Sequence, residues 1–151
     1  MRVFVESILS CDADRAWAAV QTSALLLEVA RPLITFRPLP GEALPERWAE
    51  TMTVRCRSYL FGLVPLGTRT IFIERVDPEQ REIQSREHDP LIRRWDHLVR
   101  VKPIGPAQCT YSDEIEIEAG PLTPLVWLFA QFFYRHRQRR WRAVAKRLQA
   151  A

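Results

Sequence analysis

Residues 93–119, RRWDHLVRVKPIGPAQCTYSDEIEIEA, contain two alternating segments separated by the turn signal Gly105-Pro106. The positions expected to share one face are odd-numbered: Trp95, His97, Val99, Val101, Cys109, Tyr111, Asp113, Ile115 and Ile117. The even-numbered positions between them are mainly charged or polar. Because successive side chains of a strand point to opposite faces, the pattern predicts two antiparallel strands with one buried and one wet face.

The segment before this pair predicts a first strand followed by two short helices. Residues 3–9 are rich in β-branched and apolar side chains, as expected of a strand. Asp12 is a candidate N-cap for the first helix. The apolar side chains of that helix recur at helical spacing, at Ala13, Ala16, Trp17 and Val20. A second helix is expected over residues 23–30, where Pro32 ends it.

More strands and one long helix complete the chain. Four further strands are predicted over residues 33–36, 47–60, 68–77 and 81–88, with an apolar turn over residues 62–67 between two of them. A helix is predicted over residues 122–148. Its first half is apolar nearly all round, and its second half keeps a narrow stripe formed by Tyr134, Trp141, Val144 and Leu148.

The composition is that of a soluble globular protein. The chain has 151 residues, of which 47% are hydrophobic and 26% charged, and we expect one domain over residues 1–151. This composition excludes disordered and collagen-like chains. A membrane-spanning chain is excluded because the longest apolar stretch, residues 122–134, is too short to cross a bilayer. The three cysteines have no C-x-x-C spacing, and the N-terminus lacks a secretory apolar region. We therefore expect a cytoplasmic protein.

The net charge of +4 is unevenly distributed along the chain. Residues 121–151 contain seven basic residues and no acidic residue, so the rest of the chain is acidic overall. Such a helix could contact phosphates or an anionic membrane. The favoured interpretation is a solvated outer face, partly neutralised by the row Glu114, Glu116 and Glu118 or by another acidic surface. No nucleic-acid motif is present, so we predict no specific nucleic-acid partner and leave weak membrane-surface contact as an alternative.

His97 and Asp113 are the most informative polar residues, because both lie on the apolar faces of their strands. A hairpin centred on Gly105 predicts His97 opposite Asp113, and a slip of two residues would still leave them diagonal neighbours. The carboxylate could orient the imidazole as a general base. The favoured role is structural or ligand-orienting. His88, His97 and His136 show no metal-ligand spacing, so we predict neither a metal nor a cofactor.

The order of elements, with several short motifs, resembles a known superfamily. The motifs are the helix from Asp12 to Trp17, the strand Trp95-Asp-His97, the strand from Tyr111 to Ile117 leading into Gly120-Pro-Leu, and Phe-Phe-Tyr134-Arg-His136. They are similar to those of START/pollen-allergen-like helix-grip proteins, also called the polyketide cyclase/dehydrase and lipid-transport (SRPBCC) superfamily, and of a small bacterial subgroup within it. The resemblance implies an α+β fold. In that fold a strongly curved antiparallel sheet of about six to seven strands holds the C-terminal helix across its concave face.

The resemblance also implies a hydrophobic ligand pocket between sheet and helix. We expect it to bind a lipid, polyketide or isoprenoid-like molecule, with residues 62–67 able to close its opening. The expected wall consists of Met52, Val54, Trp95, His97, Val99, Tyr111, Asp113, Ile115, Phe129, Phe132 and Phe133. One alternative is a cyclase or dehydratase with His97 as base and Asp113 as its orienting partner. Another is an adaptor that docks through the basic helix. The apolar surface of residues 122–133 also leaves a homodimer open.

Overall fold

The computed structural model describes residues 1–150 and shows one seven-stranded antiparallel sheet with three α-helices. In chain order the elements are β1 (Arg2–Leu9), α1 (Ala13–Val20), α2 (Ser23–Ala30), β2 (Ile34–Pro38), β3 (Thr53–Leu60), β4 (Val64–Asp77), β5 (Glu82–His88), β6 (Arg94–Gly105), β7 (Gln108–Glu118) and α3 (Thr123–Ala150). A 3-10 turn, Gly120–Leu122, leads into α3. The strand order is β1-β7-β6-β5-β4-β3-β2, and the sheet curls around α3. The α+β helix-grip prediction is confirmed.

The short helices form where local side chains satisfy their first turns. The Asp12 carboxylate accepts a hydrogen bond from the Arg15 backbone N–H at 2.8 Å, and Thr22 Oγ1 accepts one from the Leu25 N–H at 3.2 Å. The predicted stripe of α1 is buried, namely Ala13, Ala16, Trp17 and Val20. Because both caps are local, α1 and α2 follow one another directly. Helix α1 packs against β6, β7 and α3, and α2 packs against β2 and α3.

Two predicted boundaries in the sheet are wrong. The strand expected over residues 47–60 begins only at Thr53. The turn expected over residues 62–67 is mostly strand, because Val64 and Pro65 pair with Leu60 and Tyr59 of β3. The connection is thus a tight turn at the end of a long hairpin, and this tip exposes Phe61, Leu63 and Val64.

The register of the β6–β7 hairpin differs by two residues from the predicted one. His97 lies opposite Ile115, and Val99 lies opposite Asp113. The loop lies between Gly105 and Gln108 rather than being centred on Gly105, and the register shifts between Pro103 and Gly105. A slip of two residues keeps every side chain on its face, so Asp113 becomes a diagonal neighbour of His97.

Two clusters of buried side chains form the core. One surrounds Trp17 and Trp141, and the other surrounds Trp95, Ile115 and Phe133. Within the described residues, no helix is both long and apolar enough to cross a membrane. Members of both clusters line a cavity between the concave face of the sheet and α3.

Candidate functional site

The cavity consists of two adjoining compartments. The inner compartment has a volume of about 90 Å³ and the outer one about 210 Å³. Four residues line both compartments and form the wall between them: Phe36, Arg69, Trp95 and Phe133. The outer compartment has mainly aliphatic and aromatic walls, including Ile34, Leu60, Ile92, Val126 and Phe129. The inner compartment adds polar side chains, which are Thr22, Ser85, Glu87, His97, Tyr111, Tyr134 and Arg137.

Asp113 forms the polar centre beneath the inner compartment. Its side chain is 0% exposed and accepts hydrogen bonds on both oxygens. Oδ1 lies 2.8 Å from His97 Nε2 and 2.9 Å from the Tyr111 hydroxyl, and Oδ2 accepts from Gln138 Nε2 at 3.0 Å. Burial raises the pKa of Asp113, but the charge of Arg137 and the bonds from His97 and Gln138 outweigh burial and hold the pKa below its ordinary value. Asp113 is therefore a carboxylate.

The Asp113 carboxylate fixes the orientation of the His97 ring. Since a carboxylate only accepts, Nε2 carries the proton of this hydrogen bond. The other ring nitrogen, Nδ1, lies 3.9 Å from Glu87 Oε1, which is beyond hydrogen-bond range. The Tyr134 ring and the imidazole pack edge to face, with centroids 5.1 Å apart. In the neutral ring, Nδ1 then has a lone pair available to whatever occupies the inner compartment.

Arg69 of β4 forms part of the wall between the two compartments. Its guanidinium donates to Glu87 at 3.0 Å and to Asp89 at 3.1 Å, and it stacks on the Trp95 ring at 4.9 Å from the centroid. The Ser85 hydroxyl donates to the remaining Glu87 oxygen at 2.8 Å. Burial lowers the pKa of Arg69, but Glu87 and Asp89 outweigh burial and raise it. The wall between the compartments thus contains a buried ion cluster with Trp95 stacked on its arginine.

Only some of the predicted wall residues line the cavity. Those that do are Trp95, His97, Val99, Tyr111, Phe129 and Phe133. Four others lie in or beneath the packed walls, namely Met52, Val54, Asp113 and Ile115. Phe132 is 59% exposed, so its predicted place in the wall is wrong. The reason is helical geometry, because α3 directs Phe129 and Phe133 inward and Phe132 lies on its outer side.

The basic helix is not the uniformly solvated face that its charge predicted. Arg137 is buried, Arg140 donates to the Glu28 carbonyl at 3.0 Å, and Arg142 donates to Ser7 Oγ at 3.0 Å. The row of glutamates on β7 does not neutralise this helix. Glu114 and Glu116 pair with arginines of the sheet itself, which are Arg2, Arg94 and Arg100.

Four residues of the site were missed from the sequence: Arg69, Glu87, Arg137 and Gln138. The first two have odd residue numbers, as do the apolar residues Ile71, Ile73 and Ile83 of the same strands. The alternation of side chains along a strand would therefore have placed them on the inner face. The other two lie one helical turn after Tyr134 and one turn before Trp141, on the predicted stripe of α3.

The other two histidines, His88 and His136, are not among the residues that line the cavity. His88 is exposed, and His136 Nε2 lies 2.9 Å from the Arg31 carbonyl oxygen. Within residues 1–150, no group of three or more His, Cys, Asp or Glu side chains has the arrangement of a metal site.

Solved structures similar to this chain share its fold at low sequence identity. A START superfamily protein from Mycobacterium smegmatis has a TM-score of 0.72 and 15% identity, covering 97% of this chain and 98% of that chain. Zhui aromatase/cyclase from Streptomyces sp. R1128 has 0.72 and 13%, covering 97% and 94%. Norcoclaurine synthase from Thalictrum flavum, in a truncated form, has 0.63 and 13%, covering 91% of each chain.

Sequence comparison identifies a family. No curated protein matches the chain. The family described as Domain of unknown function (DUF8410) matches residues 7–145, which span nearly the whole sheet and most of α3. The chain therefore belongs to the DUF8410 family, and its fold is that of the START/pollen-allergen-like helix-grip superfamily.

Proposed function

We propose that this protein binds a mostly apolar small molecule, of the lipid, polyketide or isoprenoid class, in the cavity between sheet and α3. The observation that carries the proposal is the outer compartment, about 210 Å³ in volume and lined mainly by apolar side chains, with Ser58, Arg69 and Asp89 as its polar members. Ligand sites are typically concave and apolar with a few polar groups. The inner compartment supplies such groups.

The outer compartment opens to solvent between the β3–β4 hairpin and the first turns of α3. Three of its lining residues, Leu66, Leu91 and Leu125, are also exposed. An apolar molecule could therefore reach the cavity past apolar side chains. The aromatase/cyclase and norcoclaurine synthase with this fold support a small-molecule ligand. The three cysteines are buried free thiols, which is compatible with the proposed cytoplasmic location.

Filling the outer compartment should weaken binding of an apolar probe. We expect wild-type protein to bind N-phenyl-1-naphthylamine with enhanced probe fluorescence, and Val126→Trp to lose at least about tenfold in affinity, because the indole would occupy the compartment that Val126 lines. Leu128→Trp is the matched control, since Leu128 is exposed on the opposite side of the same helix. Equal binding by both variants, or no binding by folded wild type, would contradict the proposal.

A second candidate function is proton abstraction next to a ligand carbonyl, as in a cyclase or dehydratase. One observation favours it: His97 is oriented by Asp113 through Nε2 and lines the inner compartment. An imidazole held in this way is a good general base.

This activity predicts deuterium exchange into a simple aryl ketone. In D₂O we expect acetophenone to acquire deuterium on its methyl group faster with protein than with buffer alone, as measured by mass spectrometry. His97→Gln should return the rate to that of buffer, because it removes the base. His88→Gln, which changes an exposed histidine outside the cavity, should keep the wild-type rate. Exchange that is unaffected by His97→Gln would eliminate His97 as the base.

A further inference from the structure

Arg137 is a buried cation in the inner compartment that the function proposed above does not explain. The residue is 8% exposed and lines the compartment together with Tyr111 and Tyr134. Its guanidinium carbon lies 4.9 Å from the centroid of the Tyr134 ring and 5.7 Å from that of Phe133. Burial lowers the pKa of Arg137, but the nearby charge of Asp113 outweighs burial and raises it, so the group stays charged.

Among residues 1–150, the Nε atom of this guanidinium is buried without a hydrogen-bond partner, and no carboxylate forms an ion pair with the side chain, because Asp113 and Glu87 pair with His97 and Arg69. The two carboxylates whose charge acts on Arg137 are Asp113 and Glu87, and all four of their oxygens accept hydrogen bonds from other side chains. A buried charge without an acceptor is costly, so its partner should come from the occupant of the compartment.

The neighbours of Arg137 restrict the chemistry of that partner. A phosphate would bring nearly two negative charges next to Asp113 and Glu87, which opposes its binding. A neutral carbonyl would accept a hydrogen bond but leave the cation uncompensated. A carboxylate brings one charge and two oxygens that match the planar fork of a guanidinium. The inner compartment, at about 90 Å³, has room for such a group.

We propose that the ligand is an amphipathic monocarboxylate whose carboxylate is bound by Arg137 and whose apolar part extends into the outer compartment. The inference rests on the proposed function, because it identifies the ligand class of the same cavity. The four residues that line both compartments place the two spaces side by side, so one molecule can occupy both. Arg137 is then a binding residue with a stated partner.

Displacement of bound N-phenyl-1-naphthylamine by decanoate and by 1-decanol tests this inference. The two molecules have the same chain and differ in the head group. We expect decanoate to displace the probe from wild type at a concentration at least about tenfold lower than 1-decanol. In Arg137→Gln the affinity for decanoate should fall roughly 10- to 100-fold, the range for hydrogen bonds to charged groups, while 1-decanol should be unaffected.

Two further variants make the result specific. Arg137→Lys keeps the charge without the planar fork, so it should retain only part of the preference for decanoate. Arg139→Gln removes an exposed charge from the same helix and should behave as wild type. Probe and 1-decanol binding also report whether Arg137→Gln is folded. Should this variant not fold, the same measurements on Arg137→Lys decide.

The outcomes separate the inference from the proposed function. If the probe binds but decanoate and 1-decanol displace it equally well, the cavity binds ligands and the role of Arg137 is wrong. The same conclusion follows if Arg137→Gln retains the preference for decanoate. If the probe does not bind to folded wild type, the proposed function itself fails and takes this inference with it.

Discussion

Asp113→Asn should lower the free energy of unfolding by about 3–5 kcal/mol, the cost of breaking a buried charge pair from one side. Asp113 accepts from His97, Tyr111 and Gln138. An asparagine amide has one accepting oxygen and one donating nitrogen, so at least one of these contacts must reverse its direction, and the negative charge is lost. Arg137 also loses its nearest compensating charge. Urea unfolding at pH 7 measures the change in free energy. In thermal unfolding we expect the Tm to fall by roughly 10 °C.

The effect of this substitution should depend on pH. Because the folded-state pKa of Asp113 is below its ordinary value of 3.8, the unfolded chain takes up the proton first. The stabilisation is fully present above about pH 5 and is lost as the pH falls through 3.8 towards the folded pKa. The difference between wild type and Asp113→Asn should therefore shrink between pH 5 and pH 3. A difference that stays constant over this range would contradict the assignment.

The control for this position is Glu116→Gln on the outer face of the same strand. Glu116 pairs with Arg94 at 2.8 Å, but its side chain is 55% exposed. Exposed ion pairs contribute about 0–1 kcal/mol, so the control should remain close to wild type. A large loss in Glu116→Gln would mean that any charge change on β7 destabilises the protein.

Arg69→Met should destabilise the fold to a similar extent, by about 3–5 kcal/mol. The arginine is shared by Glu87 and Asp89, and its side chain is only 12% exposed. Methionine is of similar length and can still pack on Trp95, so the substitution removes mainly the charge. Two carboxylates would then remain in the cavity wall without their cation. Urea unfolding at pH 7, with the midpoint and slope fitted together, measures the loss.

Arg86→Met is the matched control for Arg69. Arg86 also joins two carboxylates, those of Glu74 and Asp96, but on the outer face of the sheet with 45% of its side chain exposed. Screening by water should limit its effect to about 0–1 kcal/mol. Equal losses in the two variants would show that burial of the Arg69 cluster contributes nothing to its strength.

The fold was predictable because its signals are local and periodic. The alternation from Trp95 to Val101 and from Cys109 to Ile117 identified the inner faces of two strands, and Asp12 marked the start of α1. The register was not predictable, because the loop between Gly105 and Gln108 and the shift next to Pro103 depend on backbone geometry that composition does not encode. The length of the β3–β4 hairpin was missed because Gly62, Pro65 and Gly67 are typical of turns.

The site was only partly predictable, since its polar members come from distant parts of the chain. The association of His97 with Asp113 survived the error in register because strand neighbours two residues apart remain in reach. Arg137 was assigned to a solvated face on charge alone. A basic residue is normally exposed, and only the packing of α3 against the sheet shows that this one points inward.

The same helix lines both compartments, and this has a consequence for ligand size. Val126 lines the outer compartment and Arg137 the inner one, and eleven residues separate them. At 1.5 Å per residue this is about 16 Å along α3. A molecule much shorter than this can contact Arg137 and the shared wall at Phe133, but it cannot also reach Val126. The spacing of two side chains on one rigid helix thus sets a minimum length for the ligand that uses the whole cavity.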